Sequence, residues 1–166
     1  MTFHKTWDKV LGVGEQVQYE FSLSPRFINI NILFWFIVGI ATVWFYGVGI
    51  IIFGIALFYF GFYLRWANHF AITNKRILIH RGWLSTRMTS ADFTQITDVE
   101  VRQGFTERIM YRSGKLLVNT AGSAAYEIVL PNIGDPYLVK KKLSEAMEKD
   151  RKQNATLGTV TSQPSP

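Results

Sequence analysis

From Phe27 to Leu64 the chain reads FINI NILFWFIVGI ATVWFYGVGI IIFGIALFYF GFYL, bracketed by Arg26 and Arg65. These 38 residues contain no Lys, Arg, Asp, Glu or His, and they carry 13 of the chain's 25 aromatic residues. An uncharged apolar run of about 18 residues is already enough to cross a bilayer, which excludes a fully water-soluble globule. As a single helix the run would reach about 57 Å, nearly twice the ~30 Å hydrocarbon layer. Two spans fit it better, Ile28–Phe45 and Val48–Leu64, folded back at Tyr46-Gly47-Val48-Gly49, where two glycines permit the reversal. Both are short for a span, so a hairpin that enters and returns without fully crossing is the alternative.

Trp44 and Tyr46 are expected at the far interface and Tyr63 and Trp66 at the near one, as amphipathic anchors. Gly47, Gly54 and Gly61 recur every seven residues and form a candidate helix-packing face. That face serves either the first span, around Gly39 and Ala41, or a second copy of the chain. Arg26 and Arg65 flank the hairpin, and Lys75, Arg76, Arg81 and Arg87 follow, while the turn has no basic residue. The positive-inside rule therefore predicts a multi-pass protein of the cell (plasma or inner) membrane with both termini cytoplasmic. The run is not a secretory signal: it lies behind a segment of zero net charge, and it is too long for an h-region.

Outside the run the chain is ordinary, which is why a mean hydropathy of only +0.11 over 166 residues conceals it. Residues 1–26 carry three basic and three acidic groups, so the whole net charge of +6 follows the hairpin, as fifteen basic against nine acidic residues. A basic domain beside a membrane meets anionic headgroups before nucleic acid, and no nucleic-acid partner is expected. The absence of cysteine excludes disulfides, thiolate metal sites and cysteine nucleophiles.

After Trp66 the texture changes to short β-rich segments punctuated by glycine and proline. Arg76–His80, Lys115–Thr120 and Tyr126–Leu130 are the clearest strands, the last expected to stop at Pro131. Asn68–Thr73, Thr86–Ala91 and Ile96–Arg102 alternate less well, and in the last of these a bulge or turn shifts the valines off the face of Ile96. Asp135 and Pro136 open a helix whose Val139, Leu143, Ala146 and Met147 make one apolar stripe. The expected organisation is thus a cytoplasmic segment at 1–27, a transmembrane hairpin at 28–66, a β-domain at 67–152 and a disordered tail at 153–166.

Catalytic constellations are scarce. His4, His69 and His80 show no metal-ligand spacing, although His69 and His80 are able to meet across paired strands. Asp98, Glu100 and Arg102 share a strand face and read as a solvated charged strip. No phosphate-binding glycine loop or nucleophile elbow occurs. No cofactor, metal or small-molecule substrate is expected. The candidate contacts for anionic headgroups are Arg65, Lys75, Arg76, Arg81 and Arg87 beside the hairpin, and Lys140, Lys141 and Lys142 on the final helix, although three successive helical residues fan apart rather than converge.

Several motifs arrive in a telling order. Thr73-Asn74-Lys75-Arg76-Ile77-Leu78 precedes Arg81-Gly82, and Ile96-Thr97-Asp98-Val99 precedes Arg102-Gln103-Gly104-Phe105-Thr106-Glu107-Arg108. Then come Gly114–Gly122, ending Thr-Ala-Gly, and Leu130-Pro131-Asn132-Ile133-Gly134-Asp135-Pro136. Over residues 20–150 this series resembles the bacterial pleckstrin-homology (PH) domains of YdbS-like membrane proteins. The resemblance implies an α+β fold in which the hairpin is followed by a PH-like antiparallel β-sandwich or barrel, capped by a C-terminal helix. It brings no catalytic residues, and Thr73, Arg76 and Gly82 look structural in it. The functional expectation is a non-catalytic, membrane-anchored module that recruits or scaffolds membrane-protein partners. The alternative is a sensor of anionic lipid that forms a homo-oligomer through its hairpin.

Overall fold

The computed structural model describes residues 7, 9–42, 47–82, 87–121 and 128–161, with side chains to residue 156. Strand β1 (Val17–Ser22) leads into helix α1 (Pro25–Thr42). Helix α2 (Val48–Ala67) returns the chain, and its middle, Leu57–Tyr63, is π-helical. Strands β2 (Asn68–Thr73), β3 (Arg76–Arg81), β4 (Arg87–Asp92) and β5 (Ile96–Arg102) follow. A π-helical turn, Glu107–Tyr111, leads to β6 (Ser113–Thr120) and β7 (Ile128–Gly134), and helix α3 (Pro136–Thr161) ends the described chain.

The strands form two antiparallel sheets, ordered β1-β2-β3-β4 and β5-β6-β7. Phe21, Phe70, Ile72, Ile77, Ile79, Leu116, Val118 and Leu130 fill the space between them. Helix α3 closes the core with Val139, Leu143 and Ala146, all buried, so the apolar stripe read from the sequence is the buried face. A bridge between Leu23 and Ile133 joins the sheets at one corner.

Four sequence expectations change. The N-terminal segment, separate from the domain by composition, supplies one of its strands: β1 pairs with β2 from Val17↔Thr73 to Ser22↔His69. The helix pair is therefore an insertion between two neighbouring strands. Trp7, 1% exposed, covers the outer face of this sheet over Ala71 and Leu78. That cover explains three successive apolar residues in β3, since Ile77 and Ile79 face one core and Leu78 the other. Second, β7 runs through Pro131. It is an edge strand in which three steps (Leu130 to Ile133) face two on β6 (Leu116 to Gly114), and a bulge on an edge tolerates a residue without an N–H. Third, α3 continues through the expected disordered tail as far as Thr161. Fourth, the helices of the pair run 25–42 and 48–67, each long and apolar enough to cross a membrane by length and composition. Trp44 and Tyr46 lie outside the described residues.

The bulge expected in β5 is present, as a register shift between Ile96 and Asp98 against Thr120 and Asn119. Glu100 and Arg102 form an exposed ion pair of 2.7 Å on the charged strip.

Candidate functional site

The Thr-x-x-Arg motif is a structural device, and its partner lies in the N-terminal segment. The Thr73 hydroxyl donates to Glu15 Oε1 (2.8 Å) and accepts the Lys75 and Arg76 amides, which fixes the β2–β3 turn. Arg76 grips the same carboxylate through Nε (2.9 Å) and a terminal nitrogen (2.8 Å), and reaches the Val10 carbonyl. The Gly12 amide adds a fourth bond at 2.8 Å, within a turn completed by Gly14 at φ +75°. The Glu15 side chain is only 2% exposed. The Arg76 hydrogen bonds, working against burial and helped by Gly12 and Thr73, hold its carboxyl down from 4.5 to about 2. Arg76, a candidate headgroup contact in the sequence, is thus already engaged.

The remaining basic candidates do not converge. Strand β3 carries Arg76 and Arg81 at opposite ends, about 17 Å apart along an extended chain, so Lys75 and Arg76 lie far from the helix pair and Arg81 lies beside it. Lys141 and Lys142 pair with Glu145 on α3, at 4.0 and 3.1 Å, and Lys140 is half-buried. Arg65 is exposed in the last turn of α2.

Arg81 and Arg87 do come together. They face each other across β3 and β4, next to the point where the Gly82 amide binds the Ala67 carbonyl at the end of α2. With Ile79, Thr89, Ile128 and Val129 they line a cleft of about 220 Å³ between β4 and β7, an edge strand of each sheet. The Arg81 guanidinium donates to the Val129 carbonyl. Burial first, and the facing Arg87 second, lower the Arg81 pKa. Like charges directly opposite on neighbouring strands oppose pairing, so an anion between them would be held by both. Thr89 and Val129 carry no signal in the sequence, because neither belongs to a charged cluster and β7 joins the cleft only through the sheet-to-sheet closure.

His69 and His80 are register partners, as their places on the two strands allow. Burial, and after it the neighbouring His80, hold His69 below its ordinary pKa.

Of the candidate packing glycines, only Gly61 meets the first helix. Gly47 is the left-handed residue before α2, Gly54 faces open space, and Gly61 approaches Ile32. A spacing of seven keeps one face only on a regular α-helix, and the π-helical stretch advances fewer turns over the same residues. The close approach is at Gly39, where an added Cβ would lie 3.0 Å from Phe53 Cβ and 3.1 Å from the Gly49 carbonyl. Gly39→Leu is therefore expected to destabilise the helix pair by about 1–3 kcal/mol, and Gly54→Leu by less than about 0.5 kcal/mol. Unfolding in detergent, followed by tryptophan emission, checks the order. A Gly54→Leu chain that keeps its stability but loses a wild-type oligomer in size-exclusion chromatography would assign Gly54 to contact between copies.

Comparison with known proteins agrees with this architecture. The sequence matches the family described as "Bacterial PH domain" over residues 27–147. A DUF1696 family protein with a pleckstrin-homology domain, from Shewanella loihica, is similar in structure. Its TM-score is 0.50 at 12% identity, over 86% of this chain and 91% of that one. At that identity the likeness speaks for the fold alone. No curated protein matches the sequence.

Proposed function

This chain belongs to the bacterial PH-domain family, and on that footing we propose that it is a non-catalytic binding module held at the cytoplasmic face of the cell membrane by α1 and α2. The helix pair supports the anchoring. In each span only 11% of the residues in its apolar window are buried, and Leu33, Ile37, Ile50, Ile51 and Ile55 each stand more than half exposed. A surface of that extent and apolarity suits lipid rather than water. The basic excess of the domain and the uncharged turn between the helices support the orientation.

The module binds an anionic headgroup in the cleft between Arg81 and Arg87. One observation carries this reading: two arginines held opposite each other, beside the end of α2, in a cleft with a threonine and an exposed edge strand. Its test uses the whole chain in detergent, titrated with short-chain anionic or zwitterionic lipid. A ligand at about 100 times its Kd stabilises the folded state by about 2.7 kcal/mol, so melting is expected to shift upward with anionic lipid alone and less as salt rises. In the Arg81→Ala/Arg87→Ala chain the shift is expected to vanish. Equal stabilisation by both lipids, or a shift kept in the double variant, would remove the cleft from the account.

Recruitment of a protein partner is the second reading, favoured by the edge strand β4, which among the described residues pairs with β3 alone. An extended peptide able to pair there gains backbone hydrogen bonds, and a tethered module needs little intrinsic affinity for other proteins on the same surface. Partner capture unaffected by Arg81→Ala/Arg87→Ala would favour it.

A further inference from the structure

Outside residues 25–67, seven large apolar side chains stand exposed among the described residues, and five of them lie on two short stretches, the π-helical turn with Phe105 before it and the start of α3. Phe105 (81% exposed), Ile109 (60%) and Met110 (49%) lie in or beside the π-helical turn, and Tyr137 and Leu138 open α3. Arg108 and Arg112 share a cleft of about 440 Å³ with Tyr137 and Leu138, and the Asp135 amide bonds the Arg112 carbonyl at 3.5 Å. Scattered single apolar residues are normal on a protein surface, whereas a gathered group marks a contact.

The position of this group says what it contacts. Tyr111, last residue of the turn, is fixed to the start of α1: the Ser24 hydroxyl donates to its carbonyl at 2.7 Å, and its ring meets Phe27 edge-on at 5.2 Å. A Cβ at Gly134, just before α3, would lie 3.5 Å from the Ser24 Cα. Three segments therefore meet where the helix pair leaves the domain. The turn is also built in advance. The Gly104 amide donates to Glu107 at 2.9 Å, and Gln103 donates to the Ser113 carbonyl at 2.7 Å. Glu107, the acid of the segment, is further engaged by Lys115 at 3.9 Å, which leaves Arg108 and Arg112 as its outward charges.

We propose that the segment from Phe105 to Arg112 is a third membrane contact, which lies in the interfacial layer with Phe105, Ile109 and Met110 among the acyl chains and Arg108 and Arg112 at the phosphates. This rests on the anchoring read above, because it is the helix pair that would bring Tyr111 to the headgroup level. A short apolar segment with flanking cations binds a bilayer in this way, sinking about 5–10 Å into the boundary between headgroups and acyl chains. Its consequence is mechanical: a domain fixed by two helices and a third point cannot swing freely, and the Arg81–Arg87 cleft then keeps one orientation to the surface.

The absence of cysteine makes the test direct. An environment-sensitive fluorophore is attached to single cysteines in the full chain (Ile109→Cys, Met110→Cys, Ile51→Cys on α2, or Val13→Cys) and each chain is placed in proteoliposomes holding a lipid with a shallow quencher on its acyl chain. Val13 is exposed, and its loop packs against the β2–β3 turn at the far end of the sheet. Emission from positions 109 and 110 is expected to fall strongly, as at 51, with no loss at 13. Quenching at 51 with positions 109 and 110 behaving like 13 overturns the third contact and leaves the anchor standing. So does a blue shift at 109 and 110 without quenching, which would mean that protein covers the turn. No quenching at 51 removes the anchor, and the third contact falls with it.

Discussion

Replacing Arg76 with methionine is expected to destabilise the fold by about 3 kcal/mol, at the low end of the range for removing one partner of a buried ion pair. The low end applies because Arg76 keeps 26% of its side chain in solvent, while Glu15, at 2%, has almost none. The cost arises at Glu15, whose carboxylate would be left with an amide and a hydroxyl and no counter-charge. Arg76→Lys keeps the charge but not the two-pronged geometry, and should lie between. Removing both charges, in Glu15→Gln/Arg76→Met, is expected to recover much of the loss, which a double-mutant cycle reads directly.

The pH dependence separates this account from a packing defect. The Glu15 carboxyl titrates near 2 in the folded chain instead of 4.5. A carboxyl with a depressed folded pKa stabilises fully above its unfolded value, and that contribution disappears as pH falls through 4.5 toward 2. The amount is on the order of 3 kcal/mol. Arg76→Met should flatten this acid-dependent loss between about pH 5 and 3, as well as lower the stability at neutral pH. Urea unfolding of the full chain in detergent at each pH, with Trp7, buried in the same N-terminal segment over Ala71 and Leu78, contributing to the emission, makes the measurement. A variant with the native acid slope, or with native stability at neutral pH, would show that the pair does not hold the N-terminal segment to the sheet.

The sequence exposes whatever is local. An uncharged run of 38 residues marks the helix pair, alternation and turn residues mark strands at β2 to β7, and the stripe from Val139 to Met147 marks the buried face of α3. Contacts between distant segments stay hidden. Glu15 sits in a leader of zero net charge, and its role depends on Thr73 and Arg76 some 60 positions away. A motif arginine without an assigned partner is the available signal. Proximity in sequence also misleads: Lys75, Arg76, Arg81 and Arg87 look like one basic cluster, but a strand separates the first two from the last two. The seven-residue glycine repeat changes face between Gly54 and Gly61 for a related reason, since a π-helical stretch shifts the phase of a helix without leaving a mark in composition.

The insertion of the helix pair between β1 and β2 leads to the second large effect. A fragment of residues 67–152, which the sequence marks out as a domain, should not fold as one. It lacks β1, so β2 becomes an unpaired edge, and it lacks Phe21 and Leu23 from the core and Trp7 from the outer face. Joining the two strands is expected to restore the fold without a membrane. Ser22 pairs with His69, so Leu23 and Asn68 are the next facing positions, and an Asn-Gly turn between them closes a two-residue hairpin of the favoured twist. This splice removes residues 24–67, including Ile28, which is 2% exposed against the core, and the Ser24 bonds to Asn132 and Tyr111. Losing Ile28 should cost about 2–5 kcal/mol, offset in part by the shorter connection, about 0.6 kcal/mol for each halving of a flexible loop. The spliced chain should therefore be soluble, monomeric and cooperatively unfolding, though less stable than the full protein, while the 67–152 fragment aggregates. Size-exclusion chromatography and urea unfolding distinguish the two. If the fragment folds as well as the splice, β1 is expendable and the PH-like unit begins after the helices. If neither folds, the helix pair itself supplies the missing stability, and the domain exists only as part of a membrane protein.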